Sequence, residues 1–385
     1  MKILLVSTSS GARGGGELCL LYLGRALALR GHDVTLWVSD HARMDELAAG
    51  FAAYGKVVRA PYVNTYDRRG RSLASYFDGT TARRVAGQWR AFAPDVIHIN
   101  KQNLEDGLDL VEAARLARIP CLVMMHITQS AAYLRASQAG VRDFVSRRAL
   151  RCFPGLLVTT PGSRREDLVD FIGDASRVRT VLNGVPIPDL AGLAAKRPMK
   201  RRELGIADNE VLFVAVGRMM PQKRPLLFLE VAARVLREMP DAKFLWIGDG
   251  DLVEAWDREV AAKSLGDKVH RLPWQTDAPA FLAAADVFLH VAEFEGLAFA
   301  ILEALAAGLP CAITPNLLAE MPFLNSTNSI AIGEDCAWLA PLRDPQQRAA
   351  FGSAARTLAE NQFSFEAMAE NYEALYREAL ASQRL

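Results

Sequence analysis

The chain has 385 residues, 51% of them hydrophobic and 23% charged, with a net charge of +1. That length suggests two or three domains with sizeable cores in an ordinary globular protein. No run of about 18 uncharged apolar residues exists, which excludes a transmembrane helix. The near-zero net charge hides an asymmetry. Residues 1–182 carry 25 Lys and Arg against 17 Asp and Glu, and the remainder carries 20 against 27. A basic first half suits an acidic substrate or an anionic membrane surface. The five cysteines show no metal-ligand spacing and several lie in apolar runs, so reduced core thiols and a cytoplasmic setting are expected.

In chain order, short apolar or β-branched runs alternate with longer helical patterns. The opening segment turns polar after four apolar residues, which predicts a first strand over 3–8 rather than a signal peptide. Further strands are predicted over 34–38, 57–60, 96–100, 121–126, 156–160 and 178–182, with helices such as 17–30 and 104–117 between them. The pattern then restarts. Strands over 211–216, 243–247, 269–272, 287–291 and 311–313 alternate with helices over 225–238, 252–265, 278–285 and 299–307. Such β-α repetition implies parallel sheets covered on both faces. The fold expected is α/β, with two Rossmann-like doubly wound domains facing a cleft: 1–184 for an acceptor and 185–364 for a nucleotide. The linker is placed at Asn183-Gly-Val-Pro-Ile-Pro188 and the basic stretch 196–202. A final helix, within 365–385, is free to pack back on the first domain.

The polar residues at strand ends carry the chemistry. After the first strand, Gly14-Gly-Gly-Glu17 opens a helix, where backbone N–H groups and the helix dipole favour an anion. His98 and His126 each end a strand and are candidates to face the cleft, His126 the better because Thr128 and Gln129 keep its loop polar. Arg218 and Lys223 follow the strand 211–216. Two cations there suit a diphosphate, Arg by its planar fork and Lys as a point charge. Gly248-Asp-Gly250 is a turn, and Trp274-Gln275 is a candidate to lie beside a nucleobase. Glu295 and Glu303 flank Gly296, and Glu303 is the only charge in an otherwise apolar helix. A buried carboxylate calls for a partner or ligand. Eight residues would span ~12 Å if both glutamates were helical.

Taken in order, Gly14-Gly-Gly-Glu17, Val216-Gly-Arg-Met-Met-Pro-Gln-Lys223, Phe244-Leu-Trp-Ile-Gly-Asp-Gly250 and the Glu295-to-Glu303 pair resemble the retaining family 4 glycosyltransferases of the GT-B fold, of the bacterial group 1 type. The resemblance runs along nearly the whole chain. It implies that Arg218 and Lys223 hold the donor diphosphate and replace a divalent metal. It implies that Glu303 bonds the ribose, that Glu295 contacts the donor sugar, and that His126 sits near the reacting face. Gly15, Gly16, Gly248, Trp274, Gln275, Gly296, Leu297 and Ala298 complete the implied donor site. Catalytic roles fall to Glu295, His126, Arg218 and Lys223.

This sequence departs from the family pattern at Glu295-Gly-Leu-Ala298, where the family often has Glu-Gly-Phe-Gly. It departs again at Asn316-Leu-Leu-Ala-Glu-Met-Pro322, which replaces a glycine pair and Pro-Glu. The implied function is transfer of a sugar from a UDP- or GDP-sugar to a glycan, lipid-linked or phosphorylated acceptor in cell-envelope polysaccharide or glycolipid assembly. No cofactor and no nucleic-acid partner is expected, and the basic residues Arg68, Arg69, Arg71, Arg83 and Arg84 suggest a peripheral place on an anionic membrane surface. A transferase acting on a soluble small molecule, and a nucleotide-binding homologue without turnover, are the alternatives.

Overall fold

The computed structural model describes residues 1–9, 14–275 and 277–382. Residues 10–13 of the glycine-rich turn thus lie outside the described residues. Two compact units divide the chain, one of Met1–Gly184 with Phe365–Leu385 and one of Val185–Ser364.

The first unit holds β1 (Lys2–Ser7), β2 (Asp33–Ser39), β3 (Lys56–Ala60), β4 (Val96–Lys101), β5 (Cys121–Met125), β6 (Leu156–Thr159) and β7 (Val178–Thr180), ordered β3-β2-β1-β4-β5-β6-β7. The second holds β8 (Val211–Val216), β9 (Ala242–Ile247), β10 (Val269–Leu272), β11 (Val287–His290), β12 (Cys311–Ile313) and β13 (Ser329–Ala331), ordered β10-β9-β8-β11-β12-β13. All of these pairings are parallel. The strands are apolar runs because helices cover both faces. The strand order reverses between β1 and β4 and between β8 and β11. Loops leaving adjacent strands diverge at such a reversal, and the crevice between them is where these folds bind ligands.

Aromatic side chains anchor each core. Trp37 meets Trp89 edge-on at 5.8 Å in the first unit. In the second, Phe213 stacks on Phe244 at 5.0 Å and Phe228 stands edge-on to Trp246 at 5.4 Å. Among the described residues no helix is long and apolar enough to cross a membrane. All five cysteines are free; Cys19, Cys121 and Cys311 are buried as core thiols, whereas Cys152 is exposed.

The basic stretch 196–202 is not a linker. It belongs to the helix Leu190–Glu203, which packs within the second unit. Arg197 and Arg201 donate to Asp286 at 2.6 and 3.0 Å, and Asp286 also accepts from the Leu212 backbone N–H at 2.8 Å. These arginines are spent on the fold rather than on a substrate.

The closing helix Phe365–Ser382 belongs to the first unit. Its Glu373 accepts from Arg30 Nε at 2.7 Å and lies 2.8 Å from His32 Nε2, and the Arg30 bond leads the causes that hold its carboxyl at about 2. The same helix corrects the reading of His98. That ring is fully buried in β4, with Nδ1 2.8 Å from the Tyr376 hydroxyl and its centroid 4.8 Å from Tyr372. It packs under a helix and faces no ligand.

Burial pushes His98 from 6.5 down to about 3. Between those values the unfolded chain binds a proton that the folded chain refuses. Stability therefore falls as pH drops through this window, by up to ~1.4 kcal/mol per pH unit. Urea titrations of the wild type and of His98→Phe between pH 7 and pH 4 check this. The variant is expected to lose stability less steeply with acid, whatever its stability at pH 7, and equal slopes would remove His98 from the account.

Candidate functional site

The polar side chains of the second unit gather at the carboxyl ends of β8 and β11, where its strand order reverses. The chain leaving β8 is held to the end of β9. Gly217 N–H donates to the Ile247 carbonyl at 3.0 Å, Trp246 Nε1 donates to the Gly217 carbonyl at 2.8 Å, and Met219 N–H donates to the Asp249 carbonyl at 2.8 Å. Gly248 has φ +137°, and a Cβ there would collide with the Gly217 carbonyl. Its glycine is thus required by the packing of two loops. Asp249 in turn accepts from the Trp274 N–H at 2.7 Å, which brings the end of β10 alongside, while the Gln275 amide is turned to the Pro273 carbonyl at 3.2 Å.

Beyond Gly217 the chain makes the short turn Pro221–Lys223, and this turn is stapled to the loop after β11. Gln222 Nε2 donates to the Phe294 carbonyl at 2.9 Å, and Glu293 N–H donates to the Gln222 carbonyl at 2.8 Å. The staple sets the Lys223 ammonium against the Glu295 carboxylate in an ion pair. On its other side Glu295 lies 3.1 Å from Nε2 of His290, the last residue of β11. Glu295 is only 6% exposed. Burial by itself raises its carboxyl, but Lys223 and His290 together outweigh burial and hold it at about 2. Burial keeps His290 below its usual value, so the neutral ring donates Nε2–H to the carboxylate. Arg218 is exposed and has no ion-pair partner among the described residues, which leaves its guanidinium available.

Glu303 lies buried in the helix Phe299–Ala306. Glu295 precedes that helix, so the ~12 Å expected for two helical glutamates does not apply. Leu297 is buried and Gly296 half-buried. Ala298 caps the helix with φ −67°, a conformation open to any L-residue. Asn316, one of the departures from the family pattern, has a use here: its amide donates to the Glu293 carbonyl at 2.7 Å and steadies the loop that carries Glu295.

The first unit has its own polar cluster, at the ends of β1, β4 and β5. Gly15 and Gly16 open the helix Gly15–Leu29. Asn100 Nδ2 donates to the Gly16 carbonyl at 3.1 Å, while Asn100 Oδ1 lies 2.8 Å from His126 Nε2. Burial pushes His126 down to about 4, so the neutral ring donates through Nε2 and keeps Nδ1 as an acceptor. The Gln102 side chain lies against Gly16, where a Cβ would strike it. Beneath, Lys101 is fully buried and donates to the Asp106 carbonyl, while Asp106 accepts from the Thr8 hydroxyl. Burial brings Lys101 down to about 8 and Asp106 up to about 6.

The structure thus brings Lys223 and Glu295 together, leaves Arg218 nearby in sequence and free, and groups Gly16 with His126. It adds His290, Asn100 and Lys101, which sequence reading passed over. The signal for each was a polar residue at the carboxyl end of an apolar strand.

Residues 14–184 match a family model described as glycosyl transferase 4-like domain, and residues 210–361 match one described as glycosyl transferases group 1. An Escherichia coli UDP-Gal:alpha-D-GlcNAc-diphosphoundecaprenol alpha-1,3-galactosyltransferase is 28% identical over 65% of this chain and 63% of its own length. A GDP-mannose-dependent monoacylated alpha-(1-6)-phosphatidylinositol monomannoside mannosyltransferase of Corynebacterium glutamicum is 31% identical over 44% of this chain and 48% of its own. The chain therefore spans less than two thirds of the length of these curated relatives. The Anabaena protein HepE, crystallised with UDP and glucose, superposes with a TM-score of 0.77 at 21% identity over 97% of this chain and 98% of that one. With a glycosyltransferase model on each half and two doubly wound parallel sheets, the chain belongs to the group 1, family 4 glycosyltransferases and has their GT-B fold.

Proposed function

We propose that the chain transfers a glycosyl group, with retention, from a UDP- or GDP-sugar to a lipid-linked, glycan or phosphorylated acceptor. The observation that carries this reading is the buried Lys223–Glu295–His290 constellation, with Arg218 free at the end of the neighbouring strand. A diphosphate fits that pair of cations, and Lys223 is shared between it and Glu295. As the bond from the anomeric carbon to the diphosphate breaks, negative charge grows on the leaving oxygen. Arg218 and Lys223 stabilise that charge and serve in place of a divalent cation. The acceptor oxygen bonds to the same carbon, its proton goes to the departing diphosphate, and the nucleoside diphosphate leaves.

A carboxyl held at about 2 is ionised at neutral pH. Glu295 therefore accepts hydrogen bonds from sugar hydroxyls and does not act as an acid. Glu303 is assigned to the ribose, Trp274 and Gln275 to the base, and the backbone of Gly248, Gly296, Leu297 and Ala298 to the diphosphate and sugar. From the first unit, His126 and the backbone of Gly15 and Gly16 are the candidates for substrate contact. The donor classes named for the Escherichia coli and Corynebacterium glutamicum relatives, and the diphosphoundecaprenol acceptor of the former, support this choice of substrates.

The reading is tested on turnover of candidate UDP- and GDP-sugars. Donors are first screened by thermal shift, where a true ligand at one hundred times Kd stabilises by about 2.7 kcal/mol. Lys223→Ala and Glu295→Gln are each expected to lower kcat by about a hundredfold or more. Normal turnover in both variants would reject the site, and donor binding without any wild-type turnover would point to a non-catalytic homologue.

Lys223→Ala also carries a prediction about pH. With the ammonium gone, burial is opposed by His290 alone, so the Glu295 carboxyl moves upward. The acid limb of the residual kcat profile, active above the Glu295 pKa, is expected to shift to higher pH than in wild type. An unmoved limb would show that Lys223 does not set the charge on Glu295.

A further inference from the structure

We infer that Asn100 is a positioning residue, which fixes one tautomer of His126 so that the ring meets a substrate hydroxyl as a hydrogen-bond acceptor. The substrate rests on the transfer reading proposed above; the tautomer rests on hydrogen-bond geometry. Asn100 lies in β4, paired with Ser7 of β1 on one side and Met124 of β5 on the other, and is 1% exposed. A buried amide is oriented by what each of its ends faces. The Gly16 carbonyl can only accept, so the NH2 end faces Gly16, at 3.1 Å. That leaves Oδ1 facing His126 Nε2 at 2.8 Å. Oδ1 has no proton to give, so Nε2 must carry one. With the proton on Nδ1 instead, two lone pairs would meet at 2.8 Å. A second ring proton is disfavoured too, since no carboxylate bonds the ring among the described residues and burial opposes its charge.

Ring and amide are both held by the backbone around them. The Asn100 carbonyl accepts from the Thr8 N–H at 3.3 Å, and the His126 and Ile127 N–H groups donate to the Lys101 and Gln102 carbonyls at 3.3 and 3.1 Å. The ends of β1, β4 and β5 thus keep Oδ1 and Nε2 in register. Nδ1 is left as a bare acceptor. It has no hydrogen-bond partner among the described residues, on a ring that is only half-buried. Such a nitrogen selects its ligand. It accepts from a hydroxyl or an amide N–H, and it repels a phosphate oxygen or a carbonyl, which bring only lone pairs. The group recognised at His126 is therefore a hydroxyl of the kind a sugar presents, and the phosphates of a substrate lie elsewhere. Asn100 touches no substrate in this account and acts through the ring alone.

Ring-nitrogen NMR of the full chain, with isotope-labelled histidine and in mildly alkaline buffer, tests the tautomer without any substrate. The His126 signals are identified by their loss in His126→Phe. The wild-type ring is expected to show a protonated Nε2 and a bare Nδ1. Asn100→Leu, which removes the acceptor, is expected to release the ring to a mixture of tautomers. Asn100→Asp, which keeps an acceptor at the ring and loses the donor to Gly16, is expected to retain the Nε2 proton. In the transfer assay, Asn100→Leu and His126→Phe are each expected to lower kcat/KM about tenfold, the worth of one hydrogen bond, and the double variant to lower it no further. An Nδ1–H tautomer in the wild type would overturn the inference, and that spectrum needs no variant to fold. So would an unchanged ring in Asn100→Leu, or additive losses in the double variant, which would mark Asn100 as merely structural. Absence of turnover in the wild type would instead reject the transfer reading, and the substrate hydroxyl with it, whereas the tautomer fails only on the spectra.

Discussion

The second unit depends on keeping one carboxylate ionised where water barely reaches it. Removing a charge from water costs several kcal/mol, and only close, well-made partners return it. Glu295 has two, the Lys223 ammonium and the His290 N–H. One partner follows β8 and the other ends β11, strands that pair directly in the sheet. The charge pair therefore also fixes the loops across the strand reversal, helped by the two hydrogen bonds of Gln222. On the proposed reading, a diphosphate would meet a lysine already committed to a carboxylate. Its phosphate oxygens would share that ammonium rather than displace the carboxylate, because a displaced Glu295 would be left buried with His290 alone.

The first unit answers the same geometry with different chemistry. Its reversal lies between β1 and β4, and the residues there are matched inward. Lys101 meets the Asp106 carbonyl, Thr8 meets the Asp106 carboxylate, and Asn100 ties His126 to the first turn of the opening helix. Among the described residues no strong cation is offered outward from that network, and the proposed diphosphate site therefore rests on the second unit. What the first unit offers is a neutral imidazole whose Nδ1 is an acceptor, suited to a hydroxyl.

The sheets were legible because buried parallel strands are near-continuous apolar runs, and β8, β10 and β12 fall on their expected residues. The three-residue β13 was not predicted, because Ser329-Ile330-Ala331 holds a single large apolar residue and shows no apolar run. His98 and His126 look alike in sequence, each closing a short apolar run. Only the packing of the closing helix against β4 tells them apart, and that contact joins residues 278 apart. The basic stretch 196–202 has the composition of a solvated linker, yet Asp286 on a distant loop turns it into a structural helix. The charge of Glu295 was legible, but not the histidine that shares its proton balance. Gly248 was read for a ligand and is required by a neighbouring carbonyl.

The charge asymmetry of the chain can also be located. The inward-facing charges of the first unit are matched, with Lys101, Arg68 and Arg142 set among Glu105, Asp106, Asp109 and Asp78. Such pairing is what burial demands, since an unmatched interior charge would be neutralised or expelled. Part of the excess of base counted along residues 1–182 is matched by the closing helix, through Arg30 with Glu373 and Arg179 with Glu378, and the rest lies on the surface. There it adds no stability of its own, because exposed like charges repel and gain nothing from packing.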